Sequence, residues 1–306
     1  MRTPPVPDVE ALVEKATTAL SPRASQRSDT ARRRKDLQLA RTALAGSNLD
    51  VKALDALACE REKTRTEMTD AARRRAVKGS AATGRRLARL TPKSAVPLAV
   101  LEPWEPGSFV LDTVTFVRTF ANAGAISDSN VGPQDNWAKY RLQASAGAVA
   151  QEGVGRLSFF TLWRNPRAQN IVANVSARLK VNAHLASDAQ WNGVAAWFID
   201  GSEARATVRA RITLWALWAS SVQAVVADVI LGSVGASGGF FGDDDDRTIA
   251  TSQLISGAGF SIPAEAYMLI EVSVLTEHFL QSGSIDLDAQ SGAFRIDVPY
   301  LIVTIP

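Results

Sequence analysis

The residues whose types and spacing could do chemistry are few, and each has a plain structural reading beside the chemical one. Gly235-Ala-Ser237-Gly-Gly239 matches G-x-S-x-G, the pattern in which a strained strand-to-helix turn exposes a nucleophilic serine. Phe240, Phe241, Gly242 and four aspartates come next with no helical period, so a flexible glycine loop accounts for the match. Asp243, Asp244, Asp245 and Asp246 are the densest negative charge in the chain. Clustered carboxylates supply some of the oxygens calcium takes, which makes calcium the one ion to consider. The run nevertheless lacks the spaced carboxylates of an EF-hand loop, and four adjacent acids also form a solvated, self-repelling loop tip. His184 and His278, the only histidines, fall in strand-like segments with no Cys or His at zinc-ligand spacing. No catalytic or cofactor set emerges, and the chain is expected not to be an enzyme.

Basic clusters are the stronger feature. Arg32, Arg33, Arg34 and Lys35, then Arg73, Arg74 and Arg75, then Arg85, Arg86 and Arg89 are groups of a kind that bind phosphate backbones through counterion release. No aromatic residue accompanies them, so base stacking is absent and any nucleic-acid contact would be independent of sequence. The alternative is a set of solvated helices, partly neutralised by Glu60, Glu62, Glu67 and Asp70 and docked on an acidic surface. Seven tryptophans, Trp104, Trp137, Trp163, Trp191, Trp197, Trp215 and Trp218, offer a further possibility, since exposed indoles stack on sugars although most tryptophans simply pack.

The elements that must position these groups divide the chain. Residues 1 to 97 carry 21 Lys/Arg against 11 Asp/Glu, residues 98 to 306 carry 13 against 20, and all 21 aromatic residues lie after residue 100. The core is therefore C-terminal and the two parts have opposite charge. Before residue 95 the pattern is helical: Val9, Leu12, Val13, Ala16 and Leu20 form a narrow stripe after Asp8, and Leu49, Leu54, Leu57 and Ala58 form another. Gly79 and Gly84 are expected to loosen the chain around and beyond them, and past Leu57 little remains to bury. Such an arm is stable chiefly when docked on the remaining domain, another copy of the chain or an acidic ligand. Residues 96–107, rich in proline, read as a linker.

From Ser108 the period becomes two. Ala206, Val208, Ala210, Ile212, Leu214, Ala216 and Trp218 point one way, and Arg205, Thr207, Arg209, Arg211 and Thr213 the other. Ile171, Ala173, Val175, Ala177, Leu179, Val181 and Ala183 repeat the pattern, with Arg178, Lys180 and His184 opposite, as do Met268, Ile270, Val272 and Val274 against Glu271, Ser273 and Glu277. About ten strands are expected, from Ser108–Phe120 to Ala293–Thr304, with turns at Asn165-Pro166, Asp200-Gly201, Gly232–Gly242, Gly257-Ala-Gly259, Ser282-Gly283 and Ser291-Gly292. Ile212–Leu231 is long enough to span a membrane, but Gln223, Asp228 and the Ser220-Ser221 pair favour two joined strands.

The expected fold is mainly β, an antiparallel β-sandwich (jelly-roll-like) preceded by an α-helical N-terminal arm: 1–95 arm, 96–107 linker, 108–306 sandwich. Cys59 is the only cysteine and the N-terminus has no apolar signal region, so cytoplasmic synthesis is expected, with a place inside an assembled particle as one destination. The first functional expectation is a structural, self-assembling protein that forms a homo-oligomer or joins a larger complex through its basic arm. A basic arm before a jelly-roll-like domain also resembles the general plan of viral coat proteins, which implies nucleic-acid packaging. Two further alternatives are a carbohydrate- or calcium-binding module and a membrane-active β protein; a membrane partner is disfavoured by the polar interruptions already noted.

Overall fold

The computed structural model describes residues 11, 38, 39, 42, 50–89, 107–131, 135–147, 149–191, 193, 201–218, 222–238 and 243–306. The expected first helix apart from Ala11, the Arg32, Arg33, Arg34 and Lys35 cluster, Trp104, Trp197 and nearly all of the linker lie outside the described residues. One long helix, α1 (Val51–Arg89), precedes twelve strands. These are β1 (Gly107–Leu111), β2 (Phe116–Ala121), β3 (Ala125–Ser129), β4 (Trp137–Ala146), β5 (Gln151–Arg164) and β6 (Ile171–Ala189), then β7 (Ser202–Ala216), β8 (Val222–Gly238), β9 (Asp243–Ile262), β10 (Tyr267–Gln281), β11 (Gly283–Ala289) and β12 (Arg295–Ile305).

The strands form two antiparallel sheets. In the first, β4, β11, β6 and β9 are neighbours, β12 continues β11 along β6, β1 pairs β12 and β3 pairs β4. The second runs β2-β5-β10-β7-β8. The central quartets, β4-β11-β6-β9 facing β5-β10-β7-β8, are the two halves of a jelly roll. Alternation builds the core between them: Ala204, Ala206, Val208, Ala210, Ile212 and Leu214 of β7 face the odd-numbered apolar residues of β6 from Ile171 to Leu185, all buried. Trp218 departs from its expected core position; it lies past the end of β7, 37% exposed, edge-on to Phe260.

Several expectations fail for identifiable reasons. Ser108–Phe120 is two strands in different sheets, β1 and β2. The Gly232–Gly242 stretch stays extended through Gly238, and the aspartate run opens β9 instead of forming a loop tip. Gly257-Ala-Gly259 lies within β9, where the pairing with β6 shifts register: Gly259 takes a φ of 78°, and a Cβ on Gly257 would stand 2.5 Å from Val226 of β8. The segment Ile212–Leu231 supplies parts of β7 and β8, and among the described residues no helix is long and apolar enough to cross a membrane.

Gly79 and Gly84 do not interrupt α1, because contacts with the first sheet hold it on either side of them. Arg65 meets Asp188 at 2.7 Å, the Thr69 hydroxyl donates to Asp244 (3.0 Å), and Arg73 meets Asp288 at 2.7 Å. Asn182 Nδ2 donates to the Ser80 carbonyl (3.0 Å), Ser80 Oγ accepts from the Ala293 N–H (3.1 Å), and Trp191 Nε1 donates to Asp55 (3.1 Å). Ala58 and Leu87 are the buried apolar contributions of α1. The helix is thus laid on the sandwich by polar contacts along the outward row Asn182, His184, Ala186 and Asp188 of β6, which is why hydrophobic periodicity gave so little warning of it.

Candidate ligand-binding cleft between the helix and the first sheet

The residues singled out from the sequence go to different places. Arg73 is committed to Asp288, while Arg74, Arg75, Arg85, Arg86 and Arg89 are exposed on the solvent side of α1. The four aspartates alternate in direction, as strand residues must. Asp243 accepts from the Ser237 N–H (3.3 Å) and Asp245 from the Gly235 N–H (3.0 Å), so two carboxylates occupy edge donors of β8. Asp244 turns to Thr69, and Asp246 turns to His184 Nε2 (3.1 Å). The run does not converge on a point, and among the described residues no group of three or more His, Cys, Asp or Glu is arranged to hold a metal. Ser237 lies near the end of β8 and not on a strand-to-helix turn. His278 is buried on the inward face of β10, where burial lowers its pKa, partly opposed by the Thr276 backbone.

On the second sheet's outer face the expected Arg–Glu ladder is present. Arg209 bonds Glu277 (3.1 Å) and Asp228 (3.4 Å), and Arg211 bonds Asp228 (2.8 Å). Deeper on the same face Glu271 accepts from Ser158 (2.5 Å) and Trp215 Nε1 (3.1 Å) and pairs with Arg156 at 3.4 Å, both charged groups buried. These groups satisfy one another, and the aromatic faces nearby already carry guanidinium groups, Arg118 over Phe116 at 3.6 Å and Arg205 over Phe279 at 4.9 Å. The face reads as a self-paired surface.

A different arrangement lies between the C-terminal half of α1 and the first sheet, where a cleft of about 370 Å³ opens. Ala81, Gly84, Leu87 and Ala88 form its helical wall. Its sheet wall is built by register: Asp297 of β12 pairs with Trp137 of β4 on one side and Lys180 of β6 on the other, and Arg295 pairs with Asn182. Outward residues of three adjacent strands are thereby set in one patch. Arg295 bonds Asp297 at 3.0 Å and stands 5.5 Å from the Trp137 ring centre, while Lys139 Nζ donates to the Gly292 carbonyl (2.9 Å).

The electrostatics of this patch are mixed in sign. Burial lowers the Lys180 pKa, opposed by Asp297 and reinforced by Arg295 and Arg178; burial raises that of Asp297 against the pull of Arg295 and Lys180. At the floor, Asn182 is 3% exposed and its Nδ2 faces two carbonyls, those of Ser80 and Ala293 (3.3 Å), which fixes the orientation of the amide. Its Oδ1 is buried and unpaired among the described residues, a condition that costs roughly 1–3 kcal/mol. The sequence had marked Lys180 only as an outward strand residue, and Trp137, Lys139, Asn182, Arg295 and Asp297 carried no local motif. The outward alternation of β4, β6 and β12 was the one signal available.

No family model and no curated protein matches the chain. Among solved structures it is similar to the CBM22-1 and GH10 modules of Clostridium thermocellum xylanase 10B complexed with xylohexaose, at 10% identity over 65% of this chain and 28% of that one, with a TM-score of 0.24. It is also similar to TmCBM61 in complex with β-1,4-galactotriose (9% identity, 57% and 90% covered, TM-score 0.18) and to infectious bursal disease virus, Gx strain (14% identity, 69% and 42% covered, TM-score 0.16). The chain thus spans little more than a quarter of the xylanase chain. These weak likenesses are mostly to carbohydrate-binding modules and include a virus structure, and what they share with this chain is a β-sandwich.

Proposed function

We propose that the protein is a non-catalytic saccharide-binding jelly roll whose site is the cleft between α1 and the first sheet. The observation that carries this is the company of Trp137: one indole beside cations, a carboxylate and an unpaired amide oxygen, in a cleft of about 370 Å³. A sugar ring presents an apolar C–H face and a rim of hydroxyls that both donate and accept. An indole suits the face, and Lys180, Arg295, Asp297 and Asn182 suit the rim. Glycoside hydrolysis ordinarily needs two carboxylates flanking the scissile bond, and the residues lining the cleft include one, Asp297, which supports binding without turnover.

Calorimetric titration of the full chain with xylohexaose, β-1,4-galactotriose and an oligogalacturonate is expected to give saturable binding to at least one, weakened about tenfold, or 1.4 kcal/mol, by Trp137→Ala. Absence of binding across the panel, or binding indifferent to Trp137→Ala, would reject the cleft as a saccharide site.

A second reading, self-assembly, is favoured by one specific feature. The two edge strands that meet at one side of the sandwich carry exposed apolar residues, Val225 (50%) and Ile230 (55%) on β8 and Leu254 (51%) on β9. If copies associate there, Ile230→Lys with Leu254→Lys reduces the mass in solution measured by sedimentation. An oligomer of unchanged mass, or a wild-type monomer, would contradict it.

A further inference from the structure

The C-terminal half of α1 carries seven Lys/Arg from Ala71 to Arg89 and no acidic residue. Arg73 is turned to the sheet; the other six, Arg74, Arg75, Lys78, Arg85, Arg86 and Arg89, are exposed. Their spacing makes them a stripe. Arg74, Lys78, Arg85 and Arg89 are separated by four, seven and four residues, so they fall in one row along the helix, and Arg75 and Arg86 flank it on the same side. The row runs about 22 Å at the helical rise, and the six cations fall within an arc of about 120°. Ser80 and Leu87 are buried on the opposite side. None of the six is ion-paired with a described residue, in contrast to Arg65 and Arg73 of the same helix.

The stripe borders the cleft. On the helix, Ala81 and Ala88 stand between the buried side and the Arg74–Arg89 row, and both line the cleft, with Lys139 and Lys180 on the facing sheet wall. A ligand leaving the cleft toward solvent on that side passes directly onto the row of cations. Two chemistries are therefore continuous: a pocket with an indole and hydrogen-bonding groups of both signs, suited to one hydroxylated ring, and an open track of one sign, suited to regularly spaced acid groups.

We infer that the ligand is an acidic polysaccharide, one sugar seated against Trp137 and its neighbouring carboxylate or sulfate groups lying along Arg74, Lys78, Arg85 and Arg89. This rests on the saccharide reading of the cleft and adds the charge and length of the chain that occupies it. Arginine supplies five of the six cations, and its planar fork meets carboxylate and sulfate oxygens two at a time. A nucleic acid also offers spaced anions. It is disfavoured here because the track has no aromatic residue to stack bases and the pocket beside it places Asp297 against an incoming phosphate.

The test uses the full chain and the fourfold variant Arg74→Ser, Lys78→Ser, Arg85→Ser, Arg89→Ser, whose changes are all exposed and leave the docked face intact. Fluorescence anisotropy with labelled oligogalacturonate and heparin fragments, a labelled neutral oligosaccharide and a short labelled DNA duplex separates the outcomes. The expected result is tighter binding of an acidic polymer than of the neutral one. The fourfold variant then lowers that affinity by about ten- to hundredfold and flattens its salt dependence, with the neutral ligand unaffected. Neutral binding with no gain for acidic polymers overturns this inference and leaves the cleft standing. Stripe-dependent acidic binding unaffected by Trp137→Ala overturns the cleft and leaves the stripe. Duplex DNA binding as tightly as the acidic glycans, with the same loss in the variant, assigns the stripe to nucleic acid and overturns the proposal.

Discussion

Glu271→Ala lowers the free energy of unfolding by about 3–5 kcal/mol, measured by urea denaturation at neutral pH. Glu271 is fully buried, and its carboxylate pairs with Arg156, itself 3% exposed, while accepting from Ser158 and from the Trp215 indole. Removing it leaves a buried guanidinium, a hydroxyl and an indole N–H without their acceptor, and the penalty of stranded partners exceeds the net worth of the original pair. The charge-removing double change Glu271→Met with Arg156→Met recovers most of the loss, because both desolvation penalties disappear together. A single change that proved neutral would mean the outer face of the second sheet is wetter than the geometry indicates.

Asp288→Ala has the second largest effect, about 3 kcal/mol, and a distinct signature. Burial alone would raise the Asp288 pKa; the Ser291 side chain, the N–H groups of Ser291 and Gln290, and Arg73 outweigh burial and hold the carboxyl at about 2. A carboxyl depressed on folding contributes stability that is fully present above its unfolded pKa, near 4, and is lost as the pH falls toward 2. A shift of nearly two units corresponds to about 2 kcal/mol. Asp288→Asn therefore flattens the stability profile between about pH 5 and pH 2, and it loosens the Arg73 contact in the middle of α1. Urea midpoints across that range check the sign: an unchanged acid slope in Asp288→Asn would show that Arg73 is not what Asp288 holds.

The fold was legible wherever one face of a strand is wet and the other dry. Ala204 to Ala216 and Ile171 to Leu185 alternate cleanly because they sit in the middle of their sheets, and the positions expected to face inward do so. Legibility failed at the edges. β8 and β9 carry glycines for close approach and bulging, which read as loops, and Asp243 to Asp246 read as a loop tip because nothing local shows that their partners are β8 amides, Thr69 and His184. The helix was legible as a helix but not as one piece. Its stability comes from Asp188, Asp244 and Asp288, which lie more than a hundred residues away in sequence.

The cleft was almost wholly illegible. Trp137, Lys180 and Asp297 become neighbours only because β12 inserts between β4 and β6, and strand order is a property of topology that period-two alternation does not encode. The basic stripe was visible as charge, but the sequence could not separate Arg73, which docks the helix, from Arg74, Arg85 and Arg89, which face solvent. That separation turns a set of arginine clusters into a surface with a direction, running from the cleft along the helix.

Hydrogen exchange of backbone amides, compared with and without a saturating oligosaccharide, tests the central claim most directly. The account predicts added protection confined to residues 137–141, 178–182 and 292–297 and to the α1 segment 80–89. Protection centred instead on residues 156–160, 211–215 and 271–277 of the second sheet, or absent despite saturation, would contradict it.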